Sequence, residues 1–121
     1  MSLNSYRDLI VWQKSMELCR LIYSLVRKLP KEELYSLSDQ MRRAAVSIPS
    51  NIAEGQARNS TKEFLQFLAI ARGSKAELET QLLLCVKVEY LADTDISEAM
   101  LLLQEIGKML VALSKTLSTA H

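Results

Sequence analysis

Apolar residues return every three or four positions along most of the chain, and this period restricts the fold more than any other feature of the sequence. Ala99, Leu103, Ile106, Leu110, Leu113 and Leu117 alternate steps of four and three, which places them on one face of a helix and suits packing against other helices. The same kind of period links Phe64, Phe67, Leu68, Ala71, Leu78, Leu82 and Cys85. A half-buried strand would need a period of two. Only three glycines and two prolines punctuate 121 residues, 49% of them hydrophobic, which is too little turn chemistry for a many-stranded sheet. The expected class is all-α, in a single domain over residues 1–121.

The spacing predicts four helices. The first, over about 9–29, carries one apolar stripe through Trp12, Met16, Cys19, Tyr23 and Val26 and another through Val11, Leu18, Ile22, Leu25 and Leu29, and Pro30 stops it. After a polar connection at 31–36, the second covers 37–57, with Met41, Ala44, Ala45, Ile48 and Ile52 on its apolar side. Gly55 and the polar run 58–60 mark its end. Ser60 and Glu63 have capping-box spacing and open a third helix that reaches about residue 91; Asp95 and Glu98 repeat the spacing at the start of a fourth. Short connections predict an antiparallel up-down-up-down four-helix bundle. Met100, Leu101, Leu102, Met109 and Val111 fall outside the main seam of the fourth helix, and such an apolar surplus predicts self-association.

Within the second helix, Gln40, Arg43, Ser47, Asn51 and Glu54 form a polar stripe along one side. Pro49 lacks the amide hydrogen that would bond the carbonyl of Ala45, and its ring crowds that oxygen, so the helix is expected to kink or break there. Ser47, Ser50 and Asn51 are close enough to reorganise the hydrogen bonding. Folding the second and third helices back around 58–60 sets Arg43 opposite residues 73–77. Gly73 costs about 1 kcal/mol relative to alanine inside a helix, which predicts a close approach there to Ala44 and Ser47. The expected outcome is a polar seam in which Arg43 meets Glu77, with Gln40, Ser74 and Gln81 beside them.

Composition excludes several classes of function. The formal charge is +1, divided as +3 over residues 1–60 and −2 over 61–121, far from the basic excess that by itself indicates nucleic acid. No apolar run approaches the roughly 18 residues that span a bilayer, and Arg7 and Asp8 precede an alternating helix rather than the apolar core of a signal peptide. A cytoplasmic protein is expected. Cys19 and Cys85 sit among apolar neighbours as small hydrophobes. The only histidine is His121, so the Glu-x-x-His pairs of di-iron bundles cannot be built, and no metal or cofactor is expected. Gly73-Ser74-Lys75 has the wrong order for a phosphate loop. Glu54 and Glu77 have Arg43 and Arg58 as structural partners, so the chain is not read as an enzyme.

RRAAVSIPSNIAEG at 42–55, preceded by Gln40 and followed by Phe64, Phe67, Ala71, Gly73, Ser74, Glu77, Leu78 and Gln81, resembles the four helix bundle proteins also called 23S rRNA intervening sequence proteins. YRDLIVWQKSMEL, with Leu9 and Trp12, fits the same pattern, so the resemblance covers almost the whole chain. It implies a bacterial four-helix bundle assembled as a homopentamer. A related fold is that of the accessory variability protein of diversity-generating retroelements, a basic pentameric barrel that binds nucleic acid and a reverse transcriptase. The resemblance points to a non-enzymatic scaffold or adaptor, with itself as first partner and RNA, the ribosome or another protein as further ones. The alternative is a nucleic-acid-binding accessory protein whose Arg42, Arg58, Lys62, Arg72 and Lys75 contact phosphates, repeated around a ring.

Overall fold

The helical period is realised along nearly the full length of the chain. The computed structural model describes residues 5–119, in which there are four α-helices and no strand. They are α1 (Ile10–Val26), α2 (Leu37–Gln56), α3 (Thr61–Lys87) and α4 (Asp93–Thr119), with 3-10 turns at Tyr6–Asp8 and Lys31–Glu33. Each helix adjoins two others: α1 meets α2, α2 meets α3, α3 meets α4, and α4 returns to α1. The α2–α3 contact is the most extensive. Among the described residues no helix is long and apolar enough to cross a membrane.

The two stripes of α1 have different fates. Val11, Leu18, Ile22, Leu25 and, just beyond the helix, Leu29 are buried in the common core. Met16 and Tyr23 of the other stripe are exposed, while Trp12 and Cys19 are half-buried. On the remaining helices the expected core holds: Met41, Ala45, Ile48 and Ile52 of α2, Leu68, Leu78 and Leu82 of α3, and Leu103, Ile106 and Leu110 of α4 are all fully buried. Apolar area removed from water contributes about 25 cal/mol per Å², and these faces are where that stabilisation arises.

Local chemistry accounts for the ends. Ser60 Oγ accepts from the Glu63 amide at 3.0 Å and caps α3 as expected, although the Glu63 carboxylate meets Arg58 rather than turning back to the serine. The third helix ends at Lys87, short of residue 91. Glu89 there adopts φ 66°, and the Tyr90 amide donates to the Cys85 carbonyl at 2.8 Å, closing the last turn. The fourth helix begins at Asp93, ahead of the expected cap. Asp95 therefore lies inside the first turn, where its carboxylate reaches back to the Ala92 amide at 2.8 Å and also accepts from Lys28 of the α1 end at 3.1 Å.

Glu33 ties the α1–α2 connection to the end of α3. Its carboxylate accepts from the Ser36 hydroxyl at 2.7 Å and from the Tyr90 hydroxyl at 2.8 Å. Those bonds, Ser36 first, hold its carboxyl below the usual carboxylate range. A folded-state pKa below the unfolded one gives stability that is present above the unfolded value and is lost as pH falls through the folded value. Tyr90→Phe should therefore lower the thermal midpoint near neutral pH, and its difference from the native chain should shrink as acid protonates Glu33; a difference constant from pH 7 to pH 3 would refute the coupling.

Gly55 is the residue the α2–α3 turn requires. A Cβ at this position would lie 2.7 Å from Phe67 Cβ and 2.9 Å from Phe64 Cδ1. Phe67 Cβ cannot move without its backbone, so the helices would have to separate. Gly55→Ala is expected to destabilise the bundle by about 1–3 kcal/mol, the usual range for overpacking, despite alanine's better helix propensity. Urea denaturation measures it, and a stabilised variant would contradict the contact.

Candidate functional site

Pro49 creates the problem around which the middle of α2 is arranged. The helix is not broken there: Leu37–Gln56 runs through the proline, which is itself buried. The Ala45 carbonyl therefore lacks its usual donor four residues on. Its partner comes from another helix, since the Cys19 thiol donates to Ala45 O at 3.2 Å. This differs from the expectation that Ser47, Ser50 or Asn51 would take up the freed carbonyl. Ser47 and Asn51 are instead bonded to each other, and Ser47 to Ser74 on the α3 side, whereas α1 lies beside the carbonyl. Burial pushes the Cys19 thiol up to about 11, so it stays protonated and remains a donor.

The polar stripe divides into a buried line and an exposed rim. Asn51 Nδ2 donates to Ser47 O at 2.7 Å and to Ser47 Oγ at 2.9 Å. Ser47 Oγ and Ser74 Oγ lie 2.7 Å apart across the α2–α3 seam. Ser47 Oγ accepts from Asn51 and can either donate to Ser74 Oγ or accept from it, so the two hydroxyls share one hydrogen bond. Gln81 is also buried; its amide nitrogen lies 3.5 Å from Glu77 Oε2, and its Oε1 has no hydrogen-bond partner. A buried acceptor without a donor costs about 1–3 kcal/mol.

Gln40, Arg43, Glu54 and Glu77 are exposed. The expected Arg43–Glu77 pair is not formed: Arg43 Nε lies 3.5 Å from Asp39 Oδ2, one turn back on its own helix, with its side chain 80% exposed. It lines a shallow surface hollow with Tyr23 and Val46, on the α1 side of α2. Glu54 pairs with Arg58 at 2.8 Å, as its spacing allows. Gly73 is not the close helix approach either, because a Cβ there would meet nothing within 4 Å. Ser74, one residue on, takes the place facing Ser47 and leaves Gly73 turned about 100° away. The close approach of the pair occurs at Gly55 instead.

The five candidate phosphate-contacting cations occupy different surfaces. Arg58 is held by Glu54 and Glu63, with its guanidinium 4.9 Å from the Phe67 ring centroid. Arg42 donates to the Leu34 carbonyl at 3.3 Å. Lys62 is exposed at the start of α3. Arg72 and Lys75 alone share a cleft, between α3 and α4, where Lys108 and Lys115 join them. Sequence reading missed the last two, although their spacing of seven puts them on one face of α4. Among the described residues no cluster of three or more His, Cys, Asp and Glu could hold a metal ion; His121 lies outside those residues.

The Cys19–Pro49 arrangement is testable on its own. Cys19→Ala should cost about 1–3 kcal/mol by leaving the Ala45 carbonyl bare, and the cost should fall when Pro49→Ala restores an amide donor. Equal costs in both backgrounds, measured by urea denaturation, would exclude the bond. Alkylation of native Cys19 should be slow at pH 8 and rise only as pH approaches 11.

The arrangement of the helices has a counterpart in a solved structure. A crystal structure of a protein of unknown function from the S23 ribosomal protein family of Bacteroides thetaiotaomicron is similar, with a TM-score of 0.81 and 29% identity over 88% of this chain and 99% of that one. No curated protein matches. The family model described as 23S rRNA-intervening sequence protein matches residues 7–112, a span that runs from the turn before α1 deep into α4 and includes Pro49, the Ser47–Ser74 seam and Gly55. On that match, this four-helix chain belongs to the 23S rRNA-intervening sequence protein family.

Proposed function

We propose that this protein is a non-enzymatic scaffold or adaptor that works as a homopentamer in the bacterial cytoplasm, alongside RNA or the ribosome. The observation that carries the reading is surplus apolar surface on helices whose inner faces are already filled. Leu101 of α4 is 67% exposed, and Leu83, Leu84 and Val88 of α3 are 53%, 46% and 46% exposed. Fully burying such a side chain contributes about 1.5–3 kcal/mol, and these are already about half buried, so each stands to contribute roughly half of that on association, a stabilisation that a monomer forgoes and a ring recovers. The up-down-up-down course of the helices is part of the same reading. It is supported by Met41 meeting Cys85 while Ser47 meets Ser74, and by Lys14 pairing with Glu105 while Lys28 pairs with Asp95.

The side chains that chemistry would call on are in structural use. Cys19 serves as a hydrogen-bond donor, Glu54 is neutralised by Arg58, and the Ser47 hydroxyl is committed to the seam. This supports a binding role over a catalytic one. Placement near the ribosome draws on the S23 ribosomal protein family of the similar crystal structure.

Light scattering at micromolar concentration should give about five times the 13.7 kDa chain mass. The double variant Leu84→Glu, Leu101→Glu should reduce that mass while leaving helical circular dichroism intact. A native chain that stays monomeric would overturn the proposal.

A further inference from the structure

An open cleft of about 900 Å³ runs between α3 and α4, apart from the polar seam and from Leu83, Leu84, Val88 and Leu101, with Val111 on its wall. Its walls carry four cations, Arg72 and Lys75 from α3 and Lys108 and Lys115 from α4, and neither an acidic nor an aromatic side chain. Only Lys75 has a carboxylate partner, Glu79 at 3.2 Å on its own helix. Arg72, Lys108 and Lys115 form no ion pair within 4 Å among the described residues. Three unneutralised cations along one cleft form a concentrated positive field between low-dielectric walls.

Two of the chain's three glycines, Gly73 and Gly107, line the cleft, each inside a helix, where glycine is unfavourable relative to alanine. Neither serves a turn. A Cβ at Gly107 would sit 2.7 Å from Lys75 Cε and 3.0 Å from Lys75 Nζ, so the glycine makes room for the lysine to lie across it. Gly73 is exposed, and a Cβ there would meet nothing within 4 Å, so the space beside it is open. The volume is that of a small-molecule site.

We infer that the α3–α4 cleft is a binding site for a small polyphosphate, held by Arg72, Lys75, Lys108 and Lys115 beside Gly73 and Gly107. A phosphate group carries about −1.5 to −2 at neutral pH, so a short chain of phosphates delivers the charge that three free cations require in a small volume. Lys108 and Lys115 are about 10 Å apart along the helix axis, a span suited to a few linked phosphates rather than to a long nucleic-acid track. The absence of aromatic side chains from the walls removes the stacking platform on which single-stranded bases depend. The ligand is thus recognised through its phosphates, whether they belong to a nucleotide or to an inorganic chain.

Calorimetry on the intact protein at low salt, with light scattering on the same samples, tests the site. Inorganic tripolyphosphate and ATP should both bind, and adenosine should not; ATP binding much tighter than tripolyphosphate identifies a nucleotide as the source, and equal binding identifies the phosphate chain. Lys108→Glu with Lys115→Glu should weaken affinity at least tenfold. Gly73→Leu should also weaken binding at least tenfold by placing a side chain in the cleft, yet keep or raise the thermal midpoint, because leucine favours helix and its Cβ meets no neighbour. The assignment is overturned if neither triphosphate binds, if both variants bind normally, if citrate binds as tightly as tripolyphosphate, or if an RNA oligonucleotide binds while the triphosphates do not. Because assembly is read in the same samples, a monomeric native protein would defeat the pentamer without deciding the cleft.

Discussion

Gly55 lets the end of α2 rest against Phe64 and Phe67 closer than any side chain at that position would allow, and the alignment of α2 with α3 follows from this contact. With the two helices drawn together at the turn, Ser47 comes within 2.7 Å of Ser74, and Met41 and Cys85 meet further along. The pair then presents Ile48, Ile52, Leu68, Leu78 and Leu82 to the core, where α1 and α4 complete the enclosure. A shift of α3 by one residue would rotate each of these side chains by about 100° relative to its neighbours. The small residues at the contact thus set which faces are apolar core, which are polar seam and which are left outside.

Pro49 imposes the second constraint, and its resolution joins α1 to α2. The bare Ala45 carbonyl is bonded by Cys19 from the neighbouring helix, so a backbone defect in one element is compensated by a side chain in another. The thiol that does this is held protonated by its burial, which removes the chain's half-buried cysteine from nucleophilic chemistry at neutral pH. Asn51, two residues beyond the proline on the seam side, fastens Ser47 one turn back. The stretch 42–55 is in these terms a device for packing a helix through a proline, with its two flanks bonded to different neighbours.

The outer surface separates into regions of distinct chemistry. Leu83, Leu84, Val88 and Leu101 supply apolar area that a filled monomeric core has no use for. The α3–α4 cleft supplies positive charge beside two glycines. Arg43 and Glu77, expected to neutralise each other, stand exposed on separate elements, with Arg43 paired to Asp39 on its own helix. Surface ion pairs contribute only about 0–1 kcal/mol, so little stability depends on how these rim charges are arranged, and assembly or ligand binding can recruit them at small cost.

Features carried by residues near one another in the chain are legible in the sequence: four helices from the apolar period, the Ser60 cap, the stops near Pro30 and Gly55, the buried Leu103–Ile106–Leu110 line and the Glu54–Arg58 pair. The seam residues Ser47 and Ser74 are legible too, since both hydroxyls sit on the faces that fold together. The partner of Arg43, the role of Gly73, the donor to Ala45 and the joining of Lys108 and Lys115 with Arg72 are not. By itself the sequence determined the helices, the Ser60 cap and the family, because period and capping act within a few residues along one chain segment. The rotation of each helix about its axis was decided only by the tertiary structure, through close contacts such as Gly55 on Phe67. That rotation separates a buried seam residue from an exposed one a single position away, and it decides which distant charges share a cleft.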